Sequence, residues 1–155
     1  MLDRKLVDGT TNERYIALSF VWGVSNRFCL SRKNQEDLRY ANGLKDDDLP
    51  NTIRDAFEVV AGLGERFLWV DRLCILIDDE LDKMDQMSKM DQIYSAAILT
   101  LVSVSGCCVN DNIAGVKPNT HQLVQHSEII RGVEYITTQP DPVSVLEAFS
   151  WSTRG

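Results

Sequence analysis

An aspartate and an arginine stand inside one of the most apolar stretches of the chain, Phe67-Leu68-Trp69-Val70-Asp71-Arg72-Leu73-Cys74-Ile75. An unpaired carboxylate is costly to bury. Asp71 therefore has either a partner, such as Arg72 or a loop amide, or a task as the acid or base of a site. It is the candidate catalytic residue. Cys74 could act as a nucleophile only with a base at hand. Neither His121 nor His126 lies near it in sequence, so packing as a small hydrophobe is the favoured role. Trp22 could stack on a planar ring or simply anchor a core, and Trp69 has the same two readings. Gly23 and Gly106 either let a ligand approach the backbone or only turn the chain. Ser19 lacks a G-x-S-x-G setting and reads as a hydrogen-bonded interior residue. Together with Arg72 and Ser105, these positions make up the candidate ligand pocket.

No metal centre is expected. The four cysteines, Cys29, Cys74, Cys107 and Cys108, contain no C-x-x-C pair, and the histidines hold no zinc-ligand spacing with them. Asp78 and Asp79 read as helix-start charges rather than metal ligands. A disulfide framework is not expected either, and a reducing, cytoplasmic setting fits this cysteine usage.

The elements that must position these residues follow from hydrophobic patterning. Tyr15–Trp22, Phe67–Val70 and Ile98–Val104 are near-continuous apolar runs, the mark of strands buried on both faces. Between the first two, a short helix is expected near Glu36–Ala41. A longer helix opens at Pro50, with Ile53, Ala56, Phe57, Val60 and Ala61 on one face and Gly64 as its stop. Between the second and third, a helix starts at Asp78-Asp79-Glu80. Its stripe of Leu81, Met84, Met87, Met90, Ile93, Tyr94 and Ala97 reads as core filling. Strands alternating with helices predict an α/β fold with a mostly parallel, Rossmann-like sheet flanked by helices on both faces and joined by right-handed crossovers. Beyond residue 120, segments 123–130 and 133–138 suggest a hairpin turning at Arg131-Gly132. Asp141-Pro142 suggests a short helix reaching Phe149. If the three strands are neighbours, their carboxyl ends place Trp22-Gly23, Asp71-Arg72 and Ser105-Gly106 on one rim, where open α/β sheets collect ligands.

Composition bounds the function. The chain has 155 residues, enough for one domain. It is 44% hydrophobic and 25% charged, which suits a filled core and argues against disorder. The formal net charge of -7, with no basic patch beyond Arg32-Lys33, disfavours nucleic acid and anionic membranes. No apolar run approaches the length of a membrane span, and the first residues lack a signal-peptide core.

Four blocks then carry a resemblance. Tyr15–Gly23 reads YIALSFVWG, Leu49–Ala56 reads LPNTIRDA, and Leu63–Ile75 reads LGERFLWVDRLCI. Met90, Ile93, Tyr94, Ala97, Thr100, Val102 and Gly106 follow at fixed spacing. In this order and at these separations they resemble the fungal heterokaryon incompatibility (HET) domain, whose blocks read YxALSYxWG, LPxTIxDA, LGxRYLWVDxLCI and MxxIYxxAxxTIVAxxG. Tyr15, Leu18, Pro50, Asp55, Trp69, Cys74, Asp78 and Tyr94 fall on motif positions. Ile77 departs from the pattern, standing where the family's CIxQDD has Gln. Trp151, Arg154 and Gly155 match the opening of WxxRGWTxQE.

The resemblance implies a signalling and cell-death effector of self/non-self recognition, working through protein partners or homotypic assembly. It also implies a distant likeness to TIR domains, some of which cleave NAD through a glutamate that follows a Trp on a helix. The matching glutamate of WTxQE would lie beyond Gly155, and Glu147 precedes the matching Trp and is not its equivalent. NAD is thus a substrate the resemblance allows, with weak or no turnover expected of this chain. Thr153-Arg154-Gly155 could help recognise a phosphate in the complete domain. A gene fragment without independent function is the remaining alternative.

Overall fold

Ile16, Ala17 and Leu18 are each wholly buried, which explains why their stretch is continuously apolar rather than alternating. They form β1 (Ile16–Ser19), the central strand of a three-stranded sheet, in a computed structural model that describes residues 3–10, 12–22, 28–104, 111–118, 120, 126–138 and 141. On one side β1 pairs in parallel with β2 (Leu68–Val70), Ile16 opposite Leu68 and Leu18 opposite Val70. On the other it pairs in parallel with β3 (Leu99–Val102), Ile16 opposite Leu99 and Ser19 opposite Val102. The sheet order is β2-β1-β3.

The helices cover both faces. In chain order they are α1 (Gln35–Arg39), α2 (Asn51–Gly62), the single turn α3 (Asp71–Cys74), α4 (Glu80–Ser88) and α5 (Met90–Ala96). From α2, Ile53 and Ala56 join Leu18, Phe20, Val70 and Leu73 in the larger core, with Leu68, Leu101 and Phe57 packed against it. On the opposite face, Tyr15, Ala17 and Ile93 form a second core with Phe67, Trp69, Tyr94 and Ala97. The chain thus moves outward from β1 to β2 through α2 on one face. It then returns past β1 to β3 through α4 and α5, with α5 on the other face. Reversing both direction and face keeps the two crossovers of one hand, as connections in a parallel sheet require.

Local chemistry accounts for the helix ends. Pro50 is the N-cap of α2, immediately before Asn51. At its other end Gly64 adopts φ +74°, Glu65 N–H donates to Val60 O at 3.1 Å, and Gly64 N–H donates to Ala61 O at 3.1 Å. That is a Schellman motif, which needs a left-handed residue just past the helix. Asp79 caps α4, its Oδ1 accepting from Leu81 N at 3.1 Å and Asp82 N at 3.3 Å.

Several expectations need correction. The first strand is shorter than 15–22 and the third shorter than 98–104, because burial continues past the hydrogen-bonded ladder, at Phe20 after β1 and at Ser103 after β3. Ala61 is exposed, and the α2 face it was expected to share is completed by buried Thr52 and Asp55 instead. The expected stripe fills a core only in its second half: Ile93, Tyr94 and Ala97 join the core beside β1, while Leu81, Met84 and Met87 face outward.

The hairpin exists as β4 (Ser127–Ile130) and β5 (Val133–Ile136), paired antiparallel. Arg131 and Gly132 both have positive φ, as a two-residue type I′ turn demands. All eight of its strand residues are exposed. The expected helix from Pro142 to Phe149 lies outside the described residues.

Candidate functional site

The parallel register brings the carboxyl ends of β1, β2 and β3 to one edge of the sheet. The connection after β1 leaves toward β2, while β3 lies on β1's other side, so the gap between β1 and β3 is the topological switch point. Ser19 closes β1 there, and its carbonyl accepts from Ser103 N at 2.9 Å.

Three predicted pocket residues meet at this rim. Trp22 Nε1 donates to Asp71 Oδ2 at 2.8 Å. The Arg72 guanidinium stacks on the Trp22 ring, Cζ lying 5.0 Å from its centroid. Asp71 Oδ1 accepts from the backbone N–H of Arg72 at 2.7 Å. The indole is therefore fixed at its edge by a carboxylate and on a face by a cation, both supplied by the turn that follows β2. Arg72 is only 1% exposed, and its Nε lies 3.4 Å from Cys29 Sγ. Gly23, Ser105 and Gly106 lie outside the described residues.

The segment carrying Cys29 is bound to the far side of the same turn. Leu30 N–H donates to Arg72 O at 2.8 Å, and Ile77 N–H donates to Leu30 O at 3.1 Å. Asn34 Nδ2 donates to Cys29 O at 2.9 Å. Asp78 receives Arg32 N–H on its two oxygens at 3.0 and 3.2 Å. Asp79, besides capping α4, pairs with the Arg32 guanidinium at 2.6 Å. Arg32 beside it, then the capped amide of Asp82, hold the Asp79 carboxyl below its usual 3.8. A depressed aspartate contributes stability that is fully present above its unfolded value and lost as pH falls through the folded one. The melting-temperature advantage of the native chain over Asp79→Ala should therefore be complete at neutral pH and shrink only below 3.8. An advantage that vanishes between pH 6 and 5 would contradict this.

Cys74 is half-buried, with Val70 N 3.5 Å from its sulfur. Burial pushes its thiol up to about 11 from 9.0, and the charge of Asp71 adds to the shift. Two pH units remove about a hundredfold of the thiolate. Iodoacetamide at neutral pH should thus modify Cys74 about a hundred times more slowly in the folded chain than after denaturation, read by peptide mass mapping.

On the opposite face, Tyr15 Oη donates to Ile93 O, and Tyr94 Oη donates to Leu18 O at 3.4 Å. Trp69 meets Tyr94 edge-on, with centroids 5.5 Å apart and planes at 78°. These three aromatics sit in the α5-side core and not at the rim.

A second group of polar residues was not anticipated as a unit. Asp55, 1% exposed, accepts from Ile113 N at 2.8 Å and Asn112 Nδ2 at 2.9 Å. Thr52 Oγ1 donates to Asp111 O at 2.6 Å, and Lys117 pairs with Glu58. One polar edge of α2 thus binds the loop over residues 111–117. The available signal was a charged residue lodged between Ile53 and Ala56 on a buried helix face.

A family model described as "Heterokaryon incompatibility protein (HET)" matches residues 15–155. The chain belongs to the HET family. No curated protein and no solved structure matches it significantly. Within this HET chain the four family blocks become the central strand, the start of α2, the β2–α3 turn, and α5 with β3. Of the motif positions, Asp55 and Asp78 hold loops, while Tyr15, Trp69 and Tyr94 build a core. Trp151, Arg154 and Gly155 lie outside the described residues. Among the described residues no helix is long and apolar enough to cross a membrane.

Proposed function

We propose that this HET chain is a single-domain signalling and cell-death effector of fungal self/non-self recognition, acting in the cytoplasm through homotypic assembly or contact with a protein partner. The observation that carries the reading is α4, whose amphipathicity is turned inside out. Leu81 is 82% exposed, Met84 68% and Met87 59%, and no residue of the helix is buried. The side turned toward the protein is polar, with Asp82 Oδ2 accepting from Leu76 N at 2.8 Å. An outward apolar stripe at i, i+3 and i+6 is the pattern by which a helix docks into a partner. Methionines suit such a surface because they adapt to different shapes.

The test pairs sedimentation velocity over a concentration series with a cell-death assay in the fungal host. The native chain should gain mass with concentration and kill. Leu81→Glu combined with Met84→Glu should do neither, yet melt within about 2 °C of the native chain, since neither side chain is in the core. Killing undiminished by the double change would refute the role given to α4.

The rim supports a second reading, a TIR-like hydrolase acting on NAD. An oriented indole at the carboxyl rim of a parallel sheet suits a planar ligand. Cleavage at the ribose would need a carboxylate to stabilise the developing positive charge. Asp71 is the rim carboxylate, but both of its oxygens already accept protein N–H groups. Weak or no NAD consumption by residues 1–155 is therefore expected. Robust turnover abolished by Asp71→Asn would make the enzyme reading the primary one.

A further inference from the structure

We propose that a cleft of 410 Å³ at the amino end of α2 binds a small zwitterion bearing an ammonium and a carboxylate, a ligand of the α-amino-acid class. This site is separate from the α4 stripe and does not depend on the reading drawn from it.

The first ground is the buried carboxylate of Asp55. Its Oδ2 holds the 111–117 loop through two N–H donors, while its Oδ1 has no hydrogen-bond partner among the described residues. Lys117 Nζ stands 3.9 Å from Oδ1, an ion-pair distance beyond hydrogen-bonding reach. A charged acceptor buried without a donor is costly, so the position favours a ligand that brings one.

The second ground is the neighbouring cation. Of the three cations lining the cleft, Arg4 pairs with Asp46 and Lys117 pairs with Glu58. Arg54, one residue before Asp55, donates only to the side-chain oxygen of Asn51 and has no carboxylate partner among the described residues. The amino end of the 12-residue α2 adds partial positive charge beside it. The Asp55 oxygen thus lacks a hydrogen-bond donor, with Lys117 only at ion-pair distance, and the Arg54 guanidinium lacks a carboxylate; both residues line the same cleft. Ammonium on Asp55 Oδ1 and carboxylate on Arg54 complete both.

The lining also discriminates between ligand classes. All of its side chains are polar or charged, so it offers no aromatic platform for a nucleobase. Three cations face three carboxylates, so a phosphate chain would meet Asp46, Asp55 and Glu58 as well as the arginines. A molecule without net charge suits that balance. The volume lies in the range of small-molecule sites. The acidic side chains are not grouped to hold a metal ion, among the described residues.

Calorimetric titration of the full chain decides the matter. The probes are glycine, L-alanine and L-glutamine. N-acetylglycine lacks the ammonium, glycinamide lacks the carboxylate, and inorganic phosphate is a bare anion. At least one amino acid should bind saturably with a dissociation constant below about 1 mM, and the three controls at least about tenfold more weakly. Asp55→Asn could loosen the loop, so Arg54→Gln is the variant to read. It should weaken amino-acid binding by about tenfold or more while leaving the melting temperature within about 2 °C. No saturable binding up to about 10 mM overturns the proposal. So does equal binding of N-acetylglycine, tighter binding of phosphate, or an Arg54→Gln variant that binds as the native chain does.

Discussion

Leu18→Ala should destabilise the chain by about 3 kcal/mol and lower its melting temperature by about 6–12 °C. Leu18 is fully buried on the central strand, with Val70 on one side and Leu101 on the other. It packs in the larger core with Ile53 and Ala56 of α2. Truncation removes its transfer free energy and leaves a cavity that cannot easily collapse. A central strand is fixed by ladders on both edges, so its backbone cannot shift to close the gap. The control is Leu99→Ala on β3, where the side chain is 45% exposed and the loss should be under about 1 kcal/mol. Denaturant unfolding followed by tryptophan fluorescence measures both. Equal losses at the two positions would mean that β1 is not the packing centre of the sheet.

The contrast between these two leucines shows what the sequence conveys. Continuous apolar runs near residues 15, 67 and 98 were enough to predict three strands, their parallel direction and their shared rim, because burial on both faces leaves a compositional mark. The ends of the ladders were not legible. Phe20 is buried, at 2% exposure, yet lies outside the strand pairing, since burial depends on what covers a side chain and not on its place in the ladder. The α4 stripe marks a deeper limit. Periodicity reveals that a helix has an apolar face; it does not say that the same chain covers it. Leu81, Met84 and Met87 have the spacing of core residues and the exposure of surface ones.

At the rim, the convergence of strand ends placed Trp22 and Asp71 in one neighbourhood, and they touch. The cation–π contact of Arg72 and the approach of Cys29 were beyond the sequence reading, because Cys29 arrives on a connection with no periodic pattern. The family blocks made residues such as Asp55 and Asp78 visible without saying what they do. Their partners, Ile113 N and Arg32 N, are backbone groups, and backbone donors leave no trace in residue identity.

Asp55 therefore supports the second large prediction. Asp55→Ala should cost about 3–5 kcal/mol, the range for removing one member of a buried charged network. It deletes the acceptor of Ile113 N–H and Asn112 Nδ2 together, and strands the Ile113 amide in the larger core, where the residue is 7% exposed. The charge partner at Lys117 is lost as well. Asp55→Asn keeps the shape and one carbonyl acceptor, so it should cost less, about 1–2 kcal/mol. Thr52→Val removes only the bond to Asp111 O and should cost about 1 kcal/mol. The order Ala, then Asn, then Val is what a loop clamp requires: Ala removes the oxygen that accepts both loop N–H groups, Asn keeps that oxygen but gives up the charge that strengthens both bonds and faces Lys117, and Val loses one neutral bond. Amide hydrogen exchange provides the local readout: the Ile113 N–H should lose protection in Asp55→Ala by a larger factor than the amides of β1. Uniform loss across the chain would mean that Asp55 stabilises the fold as a whole and does not specifically anchor residues 111–117.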